Sequence, residues 1–336
     1  MQAVARLCLF GAGLLCAGTA QAQQVEVTQQ VPATARDPWL DRMHQRVYDT
    51  VWRSAMRLDH LFGSQYDEKS YQHVTGSISP IFLWDEFDGF RPRLRFKVDL
   101  PLPQLNERFN AFVGRVNRDE IVTERADQAA PFGRELGADR DEQTIFGISY
   151  RAPPSQGSRF DAGAGVRLRL PLDPYVKGSY IYQRGAVEDR LFSFRQTAFY
   201  QASERLGTTS RVDLEHLMRG PWLLRWTTSG TISQESEGVR GYSSVMALRG
   251  FPRRRSVALA VGVNGETNAP VPVQDYGIKA AYRKGIARDW LVLEVRTSLN
   301  WPKEEPGEPR EPSWGVGIGF EMSFGTDEFL ARPVTF

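Results

Sequence analysis

Residues 312–329 read PSWGVGIGFEMSFGTDEF. Trp314, Val316, Ile318, Phe320, Met322 and Phe324 share one parity, and Gly315, Gly317, Gly319, Glu321 and Ser323 the other. Successive side chains of an extended chain point to opposite faces, so this is a strand with one bulky apolar face and one nearly bare one. A soluble sheet also alternates, but its polar face would normally carry Lys, Glu and Thr. In a barrel the bare face borders a confined lumen, where small residues leave room for side chains from opposite strands.

The same alternation recurs along most of the chain. Leu94, Phe96, Val98 and Leu100 alternate with Arg93, Arg95, Lys97 and Asp99, and Phe160 to Leu170 alternates with Asp161, Gly163, Gly165, Arg167 and Arg169. Val257 to Val263, Tyr276 to Tyr282 and Leu291 to Trp301 repeat the pattern. Weaker segments lie at 74–84, 107–116, 142–151, 175–184, 190–200, 208–217, 222–233 and 240–249. The sum is about fourteen strands, with twelve also admissible. Ordinary strands run about 5–6 residues, whereas the clearest of these run about 10–12, the length of a tilted strand across a bilayer. Short connections alternate with longer polar stretches at 117–141, 234–239, 264–274 and 302–313, as in barrels with short periplasmic turns and long outer loops. Pro171 to Pro174, a tight turn where an outer loop is expected, breaks that rhythm.

The amino terminus points to export. Arg6, the apolar run Leu7–Ala17 and Ala20-Gln21-Ala22 make residues 1–22 a secretory signal, with the mature chain beginning near Gln23. A lipoprotein anchor at Cys16 is disfavoured by the bulky Leu15 before it. Cys8 and Cys16 both lie in the signal, so the mature chain forms no disulfide and no cysteine metal site. Mean hydropathy is negative and no later segment reads as a membrane helix, but a barrel gives the same average because only alternate residues meet lipid. With 42 Lys and Arg against 40 Asp and Glu, nucleic-acid binding is not expected.

Residues 23–69 form an extension containing one helix, about 37–62. Asp37-Pro38 is a good start. Leu40, Met43, Val47, Val51, Ala55, Leu58 and Phe62 recur at helical spacing, with Arg42, Arg46, Asp49, Arg53 and Arg57 off that stripe. The stripe must be buried somewhere: as a plug in the lumen, as a lid on the periplasmic mouth, or against an envelope partner. The lid or partner site is the preferred reading. The barrel is assigned to 70–325 and a tail to 326–336.

The signal, the alternating strands and the terminal strand together resemble the bacterial outer-membrane β-barrel superfamily. Gly319, Met322 and Phe324 look like the signal read by the barrel assembly machinery, although Met322 stands where an aromatic is usual and a tail follows. The resemblance implies an all-β transmembrane antiparallel barrel in the outer membrane, surrounded by lipid and lipopolysaccharide. Trp84, Trp222, Trp301 and Trp314 at strand ends fit an interfacial aromatic girdle.

Chemistry-bearing residues are few. His44 and His60 fall on the helix without partners at metal spacing, so no metal or cofactor is expected. His216 is the one catalytic candidate, for a hydrolase, but it has the opposite parity to Asp213 and Glu215. Glu304, Glu305, Glu308 and Glu311 read as a solvated loop. The informative set is the polar parity: Arg93, Arg95, Lys97, Asp99, Arg167, Arg169, Arg211, Asp213, Glu215, Arg225, Lys279, Arg283, Glu294, Arg296 and Glu321. It reads either as a lumen packed by Arg–carboxylate pairs or as a water-filled path with a basic excess. The expected function is therefore a narrow channel for small anionic or zwitterionic solutes. The alternative is a non-conducting barrel whose helix docks a periplasmic partner.

Overall fold

The computed structural model describes residues 38–59, 74–86, 89–102, 105, 108–117, 142–185, 190–218, 220, 222–303 and 305–325. The signal, Phe62 and the tail lie outside the described residues, as does the side chain of Leu58. Among the described residues one helix, α1 (Pro38–Asp59), precedes fourteen strands. These are β1 (Thr75–Asp85), β2 (Gly89–Pro101), β3 (Phe109–Asn117), β4 (Glu142–Arg151), β5 (Ser158–Arg167), β6 (Asp173–Gly185) and β7 (Arg190–Gln201). They continue as β8 (Arg205–Leu217), β9 (Trp222–Ser233), β10 (Arg240–Phe251), β11 (Arg255–Glu266), β12 (Val273–Gly285), β13 (Leu291–Asn300) and β14 (Ser313–Phe324).

Each strand pairs antiparallel with its chain neighbour, and β14 pairs with β1, so the sheet closes without an edge. Along the closing seam Ile78 faces Met322 and Trp84 faces Val316. An even strand count brings the start of β1 and the end of β14 to one rim. The strand ends that flank 102–108, 152–157, 186–189, 218–221, 252–254 and 286–290 face that rim, and those that flank the longest intervals, 118–141 and 301–312, face the other. The first will be called the short-turn rim. Tight turns there require special backbone: Gly185 sits at φ +115°, and a Cβ on it would fall 2.0 Å from the Arg190 carbonyl oxygen.

Burial follows parity. On β14 the residues at 314, 316 and 318 are exposed and those at 313, 315, 317 and 319 are buried. The outward set around the barrel includes Leu94, Leu259, Val261, Ile278 (52 % exposed), Val295 and Ile318. Such a continuous aliphatic exterior is unfavourable in water and is the surface an acyl-chain environment solvates. Aromatic residues bound it at both rims. Trp84 and Trp314 meet edge to face at 4.7 Å and Tyr276 stacks on Trp301 at 5.4 Å on the long-loop side. On the short-turn side the Arg249 guanidinium lies over Trp222 (5.5 Å) and Phe251 (4.8 Å). The chain is a transmembrane β-barrel.

Helix α1 is neither plug nor lid. Val47, Tyr48, Val51 and Trp52 pack against Val74, Val98, Leu100, Leu102, Ala111 and Phe324. Val98 and Leu100 share the parity of the exposed Leu94, and Phe324 that of the exposed Trp314, so α1 lies on the outer wall across β14, β1, β2 and β3. The reason is chemical: at this rim the lumen presents Lys97 and Asp99, whereas the outer wall presents an apolar surface that matches the stripe. Leu40 is half-buried and Met43 is exposed, so the buried face is rotated from the sequence stripe toward Tyr48 and Trp52.

Candidate functional site

The lumen wall is built by the inward parity of every strand. Arg93, Arg95, Lys97 and Asp99 lie on it in β2, and Arg167 at the end of β5. Arg211, Asp213 and Glu215 lie on it in β8, Arg225 in β9, Lys279 and Arg283 in β12, Glu294 and Arg296 in β13, and Glu321 in β14. Arg169 does not. The ladder ends at Arg167, whose carbonyl accepts a bond from the Arg169 amide at 3.0 Å, and Arg169 is exposed in the 168–172 turn. Sequence alternation ran on through Leu170, but Pro171 lacks the amide a continuing strand needs, and Leu170 is 93 % exposed.

Most of these charges close on one another. The Arg211 guanidinium chelates Asp213 at 2.8 and 2.9 Å, and Thr227 donates to the same carboxylate at 2.7 Å. Arg225 meets Glu215 at 2.6 Å and Arg167 meets Asp173 at 2.8 Å. Arg283 bridges Glu294, at 3.1 Å, and Glu321, and Glu294 also holds Arg296. Such mutual pairing is what desolvated charges require. Sequence reading placed Asp161 on the polar parity but missed its partner Arg159 at 2.9 Å, and missed Arg91 with Asp85 and Arg240 with Glu204 and Ser233. Glu204 sits in a turn, and β1 and β10 alternate too weakly for their inward residues to stand out. Apolar residues also face inward, against expectation: Phe112, Ile145, Tyr175 and Phe199 form one buried cluster, and Met246, Leu248, Ala258, Ala260 and Ala281 another.

Two further features shape the wall. The first is a column on β2, where Arg91, Arg93, Arg95 and Lys97 occupy four successive inward positions, about 20 Å of strand. Arg93 lies beside Ile81 and Arg95 beside Ser79 on β1, and Lys97 beside Gly114 on β3. Lys97 pairs within its own strand with Asp99 at 3.5 Å. The second is uneven access, with β2 more open at Lys97 and Asp99 while Arg225, Glu294 and Arg296, also in the short-turn half, are buried. Near the long-loop rim Arg167, Asp173, Gln201, Thr231 and Asn300 are buried, whereas Lys97 and Asp99 near the short-turn rim keep side-chain exposures of 51 % and 39 %. The bare strand contributes by accommodating its neighbours: a Cβ at Gly317 would meet Leu83 at 2.6 Å and Arg296 at 2.8 Å, so the space is filled from β1 and β13 and not from across the lumen.

His216 is on the outer parity beside Arg190 and Leu224, on the opposite face of the sheet from Asp213 and Glu215. Among the described residues no group of His, Cys, Asp and Glu is arranged to hold a metal ion. Of the terminal-strand motif, Met322 and Phe324 are buried on the outer face, Phe324 beneath α1.

The fold and this wall define a closed fourteen-stranded transmembrane β-barrel with a polar interior. No family model matches the chain, and no curated protein matches it by sequence. Among solved structures, OprB of Pseudomonas putida aligns with 76 % of this chain and 95 % of its own at 10 % identity and a TM-score of 0.48. The outer membrane channel DcaP of Acinetobacter baumannii aligns over 75 % and 96 % at 9 % identity with a TM-score of 0.47. An anion-selective porin from Comamonas acidovorans aligns over 75 % and 98 % at 11 % identity with a TM-score of 0.44. At these identities the likeness is one of barrel architecture.

Proposed function

We propose that the barrel is a narrow channel for small anionic or zwitterionic solutes. The observation that carries this reading is the β2 column, four cationic side chains at successive inward positions of one strand, which sets a local basic excess along the wall. Guanidinium groups spaced along a path offer successive, exchangeable donors to a carboxylate or phosphate, which favours passage over tight retention. Fourteen strands lie between the filled cylinders of about eight and the open channels of about 16–18, consistent with a constricted path. The test is a planar-bilayer recording of the purified folded protein under a salt gradient. Discrete steps with a reversal potential of anion-preferring sign are expected; a sealed bilayer with correctly inserted protein rejects the channel.

A second reading is favoured by one observation, the burial of the inward residues near the long-loop rim. It is a barrel filled at that end and serving as an envelope scaffold. The same recording separates the two, because a filled barrel passes no current.

A further inference from the structure

The helix on the outer wall has a second face. At 100° per residue, Arg42, Arg46 and Arg53 fall within an arc of about 40°, roughly opposite His44 and Val51. His44 and Val51 face the barrel: the His44 ring stacks on Trp290 at 4.3 Å, its Nε2 donates to the Ser323 carbonyl at 2.9 Å, and Val51 joins the packed cluster. The three arginines are exposed, and beside them Trp39 and Met43 are exposed as well. Asp41, off this arc, is engaged with Arg288, and Asp49 borders the arc, its main-chain carbonyl accepting from Arg53 Nε at 3.0 Å.

The depth of this face is fixed by its neighbours. Helix α1 lies alongside Trp290, the 286–290 turn and the end of β14, at the level where the apolar exterior stops. In outer-membrane barrels the rim with short turns faces the periplasm. A cationic arc flanked by a tryptophan and a methionine, on a helix held at the boundary between hydrocarbon and water, has the chemistry of an interfacial helix that engages lipid headgroups. Guanidinium groups bind phosphate diesters with paired donors, and basic side chains near an anionic surface are drawn to it.

We propose that the outward face of α1, through Arg42, Arg46 and Arg53, binds anionic phospholipid headgroups of the membrane leaflet at the short-turn rim, so that lipid and barrel wall clamp the helix from two sides. The occupant is lipid because the face projects away from the barrel at membrane level and its charge is complementary to phosphatidylglycerol-type headgroups. The proposal is independent of whether the lumen conducts.

The test is hydrogen exchange of the full-length protein in nanodiscs of phosphatidylcholine alone and of phosphatidylcholine mixed with phosphatidylglycerol. Amides of α1 are expected to exchange on the order of tenfold or more slowly in the anionic discs, and the difference to vanish at about 1 M salt. In R42Q/R46Q/R53Q the difference should be lost, while R42K/R46K/R53K retains most of it and the strands exchange alike in all variants. Equal exchange in both discs overturns the proposal, and so does a slowing that survives the glutamine substitutions. Slowing that appears only with a periplasmic extract, independent of lipid charge, overturns it in favour of a protein partner.

Discussion

Asp41, in the first turn of α1, grips Arg288 in the β12–β13 turn through paired bonds of 2.7 and 2.8 Å, joining positions 247 residues apart. A carboxylate at a helix amino terminus is favourable by itself, and a bidentate guanidinium partner fixes its direction. The contact sets where α1 begins its course along the wall, and the His44–Trp290 stack guides it one turn later.

Asp41→Asn should therefore loosen the helix without unfolding the strands. The pair is partly exposed, which limits its contribution to about 1 kcal/mol. Limited trypsin digestion of the folded barrel should cut in α1 about fivefold faster, with the protein in detergent still resisting SDS until boiled; unchanged cleavage contradicts the tether.

The seam between β1 and β14 depends on Gly76. A Cβ there would lie 2.5 Å from the Phe324 ring and 2.7 Å from the Lys97 carbonyl oxygen. Gly76→Val should destabilise the barrel by about 1–3 kcal/mol, the range of an overpacked site, read as a lower denaturant midpoint. Gly76→Val combined with Phe324→Ala should recover part of that loss if the ring is the obstacle.

Charge reversal separates the column from its surroundings. Arg93→Glu with Arg95→Glu is expected to move the reversal potential toward cation preference. Arg169→Glu, in the exposed turn, should leave selectivity within error of the parent. A shift of equal size in both would assign the selectivity to surface charge and not to the β2 column.

The Arg225–Glu215 pair offers a stability test inside the wall. Arg225 retains only 5 % side-chain exposure, so Glu215→Ala removes a carboxylate that compensates a desolvated cation. A loss somewhat below the about 3–5 kcal/mol of a fully buried pair is expected, because Glu215 keeps 17 % side-chain exposure. Arg225→Met added to Glu215→Ala should restore stability; a double variant no better than the single one removes charge burial as the cause.

The barrel was legible where one residue in two is plainly apolar, as in β2, β5, β13 and β14, and there the strand faces follow from alternation alone. The β7–β8 pair is harder, because its outward surface carries Gln196, Thr208 and Ser210, hydrogen-bonded to one another, while Phe199 points inward. The site was legible as a set of charges but not as partnerships, since most partners, such as Glu215 for Arg225 and Glu294 for Arg283, sit on an adjacent strand and leave no mark on local spacing. Position of the helix was hidden for a related reason. Val98, Leu100 and Phe324 look like lipid-facing residues whether acyl chains or Val47 and Trp52 cover them, so the sequence shows that the stripe is buried without showing on what.

The glycines of β14 have a consequence for how the cylinder is completed. The last strand in the chain brings almost no bulk to the interior, and Leu83 and Arg296 already project over the lane it will occupy. Closure then resembles sliding a smooth slat beneath fittings mounted on its neighbours: the final join asks for backbone alignment, with little reshuffling of what hangs inside.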